Sequence, residues 1–271
     1  MENSLSSRLD ICVLIPCYNN NEGLQKTLKS ITYNNQRLTV LVVDDGSTEP
    51  VAIDQHLPYS FSTSVLRLSK NQGIITALNK GLEYIYTNLD VKYIARLDCG
   101  DICHPDRFLK QVNFLENNQE IDLVGSWCYF EDFSNGKGYE YRTPTNHNAI
   151  VKGMYFRNVF VHPTVMWRTS VLKKERYPAL YPHAEDYGLF YDIVVKRLTA
   201  IIPEFLVTCE INRKGISLTH RQEQLKSRLK VVKDFGKNKL LLAAGVIKMV
   251  ILIALPYKLI YIVKSKLYEH K

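Results

Sequence analysis

The stretch YIARLDCGDICHPDRFLKQV, residues 93–112, contains the unit that decides the fold. A short apolar run, YIARL, is followed by a polar break carrying Asp98, Cys99, Gly100 and Asp101. A helical pattern then opens with Pro105 near its first turn, a position that tolerates proline because its missing N–H has no partner there anyway. The same grammar recurs upstream. ICVLIP (11–16) is a short apolar strand stopped by proline. NEGLQKTLKSI follows, with Leu24, Leu28 and Ile31 at helical spacing. TVLVVDDGS (39–47) is a second buried strand ending in acids and glycine, and SVLRLS (64–69) is a third. After a turn at Asn71–Gly73, a helix carries Ile75, Leu78, Leu82 and Ile85 on one face.

Strand alternating with helix at this spacing predicts an α/β fold built on an open, mostly parallel sheet with flanking helices. Open sheets of this kind bind ligands beyond the carboxyl ends of their strands. The polar clusters at those ends are Pro16–Asn19, Asp44–Ser47 and Asp98–Asp101. All three are expected in one crevice.

Beyond residue 120 the pattern changes. IDLVGSWCYF and YEYRT read as strands of a less parallel region. EDYGLFYDIVVKR (185–197) reads as a helix with two acids at its start. AIIPEFLVTCEIN (200–212) is extended and interrupted by Pro203, and QEQLKSRLKVVKDF (222–235) is a basic helix.

The chain has 271 residues, 46% of them hydrophobic and 23% charged, so most of it is expected to bury a core. Its net charge of +8 is unevenly distributed. From Ile211 onward there are 14 Lys/Arg against 3 Asp/Glu, and the remainder carries a net −3. That asymmetry points to an anionic partner surface, membrane or nucleic acid. The run LLLAAGVIKMVILIALPYKLIYIV (240–263) favours a membrane surface over nucleic acid. It is long enough to span a bilayer, but Lys248, Pro256 and Lys258 interrupt it. The expectation is an interfacial helical anchor with its lysines on anionic lipid. A true span and a helix packed on the protein remain the alternatives.

MENSLSSRLD lacks the apolar core of an export signal, so the six cysteines are expected to be reduced. Cys99, Cys103 and His104 have poor spacing for zinc and no matching CxxC elsewhere.

In this setting the chain resembles family 2 glycosyltransferases of the GT-A fold, of the bacterial exopolysaccharide, capsule and O-antigen type. The resemblance rests on VLIPCYNN (13–20), VLVVDDGST (40–48), NQGIITALNKGL (71–82), YIARLDCGDICHPDRFLKQV, VHPTVMWR (161–168), AEDYGLF (184–190) and INRKGISLT (211–219), all in family order. It implies a catalytic domain over 1–219, with a nucleotide-sugar half at about 10–115 and an acceptor half at 116–219. A basic and apolar helical tail follows at 220–271. The implied activity is inverting transfer of a sugar from a nucleotide diphosphate sugar, of uridine type, to a hydroxyl of a lipid-linked saccharide. The implied place is the cytoplasmic face of the bacterial inner membrane, peripherally bound.

The resemblance also implies roles for individual residues. Pro16, Tyr18 and Asn19 line the nucleoside pocket. Asp45 meets the base, and Asp44 is structural. Asn71 and Gly73 open a helix whose amides would favour a phosphate. Arg213 meets the diphosphate. Asp98 and Asp101 are the expected ligands of Mn²⁺ or Mg²⁺, which prefer oxygen donors. Family members often read Asp-Ala-Asp-Asp here, so Gly100 stands where the main ligating aspartate is usual. Asp186 is the candidate general base, and Glu185 is its alternate or support. His162 and His183 are secondary candidates. The departure at Gly100 keeps a second class in view, a catalytically silent relative that binds nucleotide sugar or scaffolds a membrane assembly.

Overall fold

The computed structural model describes residues 9–33, 37–54, 59–172, 175–211 and 219–255. Nine strands form one sheet in the order β3-β2-β1-β4-β8-β6-β9-β5, with β7 pairing β6. They are β1 (Leu9–Cys17), β2 (Leu38–Asp44), β3 (Ser62–Arg67), β4 (Val91–Arg96), β5 (Ile102–Cys103), β6 (Ile121–Asp132), β7 (Lys137–Tyr141), β8 (Met166–Arg168) and β9 (Leu198–Glu210). The helices are α1 (Asn21–Ser30), α2 (Ile74–Asn88), α3 (Arg107–Asn117), α4 (His147–Met154), α5 (Thr169–Leu172), α6 (Glu185–Lys196), α7 (Arg221–Phe235) and α8 (Lys239–Ala254).

The first four strands in the order are parallel, as the apolar runs require. Burial explains their composition: Ile11 to Ile15 and Val40 to Val43 are almost completely enclosed, because helices cover both faces. One cluster, with Leu14, Val43, Leu78 and Leu82, lies under α2. The other, with Val13, Leu24, Leu28 and Phe108, lies under α1 and α3.

The sheet then becomes mixed. The short β8 runs antiparallel to both β4 and β6, while β6 and β9 are parallel. The expected interruption at Pro203 is a bulge, since the pairing steps from Ser126↔Ile202 to Trp127↔Phe205. Proline has no ladder N–H to lose there. The two-residue β5, hydrogen-bonded to β9, has no counterpart in the sequence reading. Its existence depends on β9 arriving from about 100 residues away.

The basic helix α7 packs on α6, and α8 folds back along α7. Gly245 lets α8 approach closely: a Cβ there would lie 2.3 Å from the Tyr155 carbonyl oxygen. Among the described residues, no helix is long and apolar enough to cross a membrane.

Candidate active site

Parallel register brings the ends of β2, β1 and β4 together, with Cys17 opposite Asp44. Loops then tie the three ends into one rim. The Asn19 amide donates to Ser47 Oγ at 2.9 Å, and the Thr48 amide donates to Asn19 Oδ1 at 2.8 Å. Asn19 takes a left-handed φ of 49° to make this staple. Tyr18, beside it, is half exposed and free to meet a flat ligand. Pro16 lies buried inside β1, opposite Val43, so it shapes the strand end instead of facing a ligand.

Asp44 is structural, as expected. Its oxygens accept the amides of Ser47 and Val51 and an Arg67 guanidinium N–H. Asp45 accepts the Gln72 and Gly73 amides at 2.8 and 2.9 Å. This corrects the expectation for the Asn71–Gly73 turn. Its Gln72 and Gly73 amides serve Asp45 and are not held open for a phosphate.

The 98–101 turn is held from beneath by the buried Thr27 of α1. Its hydroxyl donates to the Asp101 carbonyl at 2.9 Å and accepts the Gly100 amide at 2.9 Å. The two acids of the turn differ. The Asp98 side chain is 42% exposed, and Oδ1 accepts Arg96 Nη2 at 2.5 Å. Asp101 is 6% exposed, and its Oδ1 accepts the Glu210 amide at 2.9 Å. Burial, then the neighbouring Asp98 charge, pushes the Asp101 carboxyl well above its ordinary range. One oxygen of Asp101, expected as a metal ligand, thus closes the β9 end of the sheet. Gly100 has a φ of +110°, and a Cβ built on it would lie 2.7 Å from Glu210 Oε2.

Cys99, Cys103 and His104 do not converge. Cys99 Sγ lies 3.5 Å from Cys17 Sγ, Cys103 Sγ meets Arg107 Nη1, and His104 Nδ1 accepts the Asp106 amide.

Arg96, fully buried at the end of β4, is the residue that sequence reasoning missed. It donates to the Leu14 and Leu97 carbonyls, to Asp98, and through Nε to His162 Nε2 at 3.1 Å. Tyr177 Oη lies 2.8 Å from the same nitrogen. His162 therefore accepts at Nε2, and burial followed by the Arg96 charge holds its pKa well below the ordinary range. It supports Arg96. The signal was present in the sequence: a lone arginine in an apolar strand, two residues before an acid.

The pair at the start of α6 faces the same region. Asp186 Oδ2 accepts Asn158 Nδ2 at 2.9 Å, and Oδ1 accepts the Tyr187 amide at 2.7 Å. Burial raises its pKa, while Arg228 of α7 pulls the other way. Glu185 is 8% exposed, and its Oε2 has no partner among the described residues. Burial, followed by the Asp186 charge, pushes it up to about 7. Neither Asn158 nor Arg228 was readable as a site residue, since each reaches Asp186 only through the fold.

His183 turns away from the pair. Its ring stacks on His220 at 4.4 Å and 14°, and both rings meet Glu223 Oε2. These three are the group of potential metal ligands found among the described residues. In the structure both rings are held by the one Glu223 oxygen, at 3.1 and 3.3 Å. Arg213 lies outside the described residues.

The oxygen donors that remain are Asp98, Glu210 and Glu185. Asp98, the half-exposed acid of the turn, offers the oxygen chemistry that a hard divalent cation such as Mn²⁺ or Mg²⁺ prefers.

The glycosyl transferase family 2 model matches residues 12–181. The amylovoran biosynthesis glycosyltransferase AmsE of Erwinia amylovora is 29% identical over 226 residues, covering 81% of this chain and 83% of that protein. The structure of S. aureus TarS 1–349 in complex with UDP-GlcNAc superposes with a TM-score of 0.65 at 17% identity, covering 88% of this chain and 71% of that one. The mannosyltransferase PcManGT of Pyrobaculum calidifontis, in complex with GDP-Man and Mn²⁺, gives 0.62 at 15% identity, covering 96% and 80%. The chain belongs to glycosyl transferase family 2, and its sheet is of the GT-A type.

Proposed function

We propose that this glycosyltransferase moves a sugar from a nucleotide diphosphate sugar, of uridine type, to a hydroxyl of a lipid-linked saccharide, with inversion, at the cytoplasmic face of a bacterial membrane. One observation carries the reading: the half-exposed Asp98 and the Glu185–Asp186 pair share one electrostatic environment at the carboxyl ends of the strands. A donor diphosphate and an acceptor hydroxyl need those two kinds of carboxylate within one crevice. The relatives' names support the setting, since AmsE acts in amylovoran biosynthesis and WbnJ of Escherichia coli in O-antigen biosynthesis. The TarS complex supports a uridine donor.

The chemistry follows from the residues. The acceptor oxygen attacks the anomeric carbon as the bond to the diphosphate breaks on the opposite face. Asp186 takes the hydroxyl proton. It is the more accessible member of the pair, Asn158 and the Tyr187 amide fix its orientation, and burial raises its pKa, which favours taking up a proton. The buried Glu185 adds negative charge beside it. Asp98, steadied by Arg96, would hold Mn²⁺ or Mg²⁺, which supplies charge neutralisation for the departing diphosphate. Tyr18 stacks on the nucleoside, and Asp45 holds the pocket wall through the 72–73 turn.

The tail fits a membrane-borne acceptor. On α8, Leu240, Ile247, Val250 and Ile251 are exposed at helical spacing, while Gly245 and Met249 face the protein. Lys248, the charge that argued against a span, donates to the Phe156 carbonyl at 3.1 Å. The apolar stripe left outward suits the headgroup boundary of an anionic bilayer.

The reading is tested by incubating the protein with a panel of UDP- and GDP-sugars, with Mn²⁺ or with EDTA, and following donor hydrolysis and transfer by mass spectrometry. Metal-dependent turnover of a UDP-sugar is expected. Nucleotide binding with no turnover of any donor would overturn the reading in favour of a silent binding relative.

A further inference from the structure

All six cysteines of the chain are among the described residues, and all are free thiols. Five are buried, at 3% exposure or less, and Cys99 is the one that reaches the surface in part. Cys99 also has a thiol for a neighbour. Its Sγ lies 3.5 Å from Cys17 Sγ, and both sulfurs converge on the Asn20 carbonyl, Cys99 at 3.2 Å and Cys17 at 3.6 Å. The two residues are 82 positions apart, and neither belongs to a CxxC spacing.

Strand register explains the meeting. β1 and β4 run parallel with Val13 opposite Ala95 and Leu14 opposite Arg96, and the Leu97 amide still donates to the Leu14 carbonyl. Continued three positions, that register sets Cys17 opposite Cys99. Strands so paired lie about 4.8 Å apart, inside the roughly 4.4–6.8 Å that a disulfide spans between Cα atoms. Bringing the sulfurs from 3.5 Å to the bonded distance of about 2.05 Å asks for a shift of about 1.5 Å. That shift falls on the donor crevice. Cys17 leads directly into Tyr18 and Asn19 of the rim, and Cys99 follows Asp98. The turn around Cys99 is already anchored, with Thr27 on the Gly100 amide at 2.9 Å and Asn20 Nδ2 on the Cys99 carbonyl at 3.4 Å. A displacement of about 1 Å in a reacting geometry costs on the order of 100-fold in rate.

We propose that Cys17 and Cys99 are a redox-active dithiol that a peroxide closes to a disulfide, and that the closed form holds the donor crevice out of its working geometry. One sulfur, as thiolate, attacks a peroxide oxygen and breaks the O–O bond. The products are a sulfenic acid and a hydroxide, which takes up a proton to become water. The second sulfur attacks the sulfenic sulfur, the S–O bond breaks, and a second water leaves with the second thiol proton. Two thiols are oxidised, and one peroxide is reduced to two waters. A dithiol reductant reverses the bond by thiol–disulfide exchange. The partly exposed Cys99 gives the oxidant access. Cys128 and Cys209 also share a face across β6 and β9, two register positions apart, but both are buried. The effect on turnover rests on the donor reading above, whereas the disulfide does not.

The test treats the reduced full chain with hydrogen peroxide, alkylates the remaining thiols, and maps unreduced peptides by mass spectrometry. A Cys17–Cys99 linkage is expected, with free thiols falling by two from six, and dithiothreitol should reverse both. Turnover of a UDP-sugar should fall by roughly 10-fold or more and return with dithiothreitol. Cys99→Ser should form no such linkage and keep its own starting turnover through the same treatment. Six free thiols after peroxide, or a Cys128–Cys209 linkage in place of Cys17–Cys99, overturns the proposal. So does a mapped Cys17–Cys99 bond with unchanged turnover, or a loss of turnover that Cys99→Ser shows equally. A reduced protein that turns over no donor overturns the donor reading, and the peptide map then decides the dithiol by itself.

Discussion

Replacing Glu185 with glutamine should make the protein more stable at pH 8 and much less so at pH 5. The carboxyl is 8% exposed, with an unpartnered Oε2, and its pKa rises from an ordinary 4.5 to about 7. The folded state therefore holds this proton more tightly than the unfolded chain does. The favourable contribution is fully present below about 4.5 and is lost as pH rises towards 7. At about 1.36 kcal/mol per pH unit, the full loss is ~3 kcal/mol, of which ~2.5 kcal/mol falls between pH 5 and 8. The glutamine side chain of Glu185→Gln would have the shape without the titration, so its advantage should grow by that amount over the window. For a chain of this size the change is on the order of 5–10 °C in Tm at pH 8 relative to pH 5. Urea unfolding of both proteins at pH 5, 6, 7 and 8 in EDTA measures it. Any fixed cost of the amide cancels in the comparison across pH. Stability curves that run parallel from pH 5 to 8 would refute the buried, charge-burdened Glu185 on which the site's electrostatics rest. Divergent curves would mean that the site holds a carboxylate the fold alone does not favour.

Asp186→Asn should lower kcat by about 10²–10⁴-fold with donor Kd within a few-fold of wild type, the signature of a lost general base. Wild-type turnover would remove Asp186 from that role. Arg96→Met should cost about 3–5 kcal/mol in urea unfolding, because a buried guanidinium organises Leu14, Leu97, His162 and Asp98 together. A cost under about 1 kcal/mol would show that the network does not hold the site together. Ile247→Asn with Ile251→Asn should reduce co-sedimentation with anionic phosphatidylglycerol vesicles by roughly 10-fold or more, since each apolar side chain is worth about 1.5–3 kcal/mol on burial. Unchanged pelleting would place membrane contact elsewhere in the chain.

The parallel half of the sheet was legible because its strands are buried on both faces and so read as unbroken apolar runs. Asp45, Asp98 and the Glu185–Asp186 pair were legible because strand and helix ends are where a chain of this class must put polar chemistry. The mixed half was harder. The two-residue β5 has no periodicity to read, and the three-residue β8 gains its strand character only between β4 and β6.

Local pattern thus determined the fold class, the crevice and the kinds of residue at its rim, because period and strand-end polarity are properties of contiguous sequence. It also exposed Gly100 as a departure from the expected turn. Only the tertiary structure decided what surrounds that glycine. Asp101, an acid of the motif, is turned inward to the Glu210 amide, and Glu210, an acid of no motif, stands over the glycine. Those two residues are 109 positions apart, and nothing but the closing of β9 against the 98–101 turn puts them in contact.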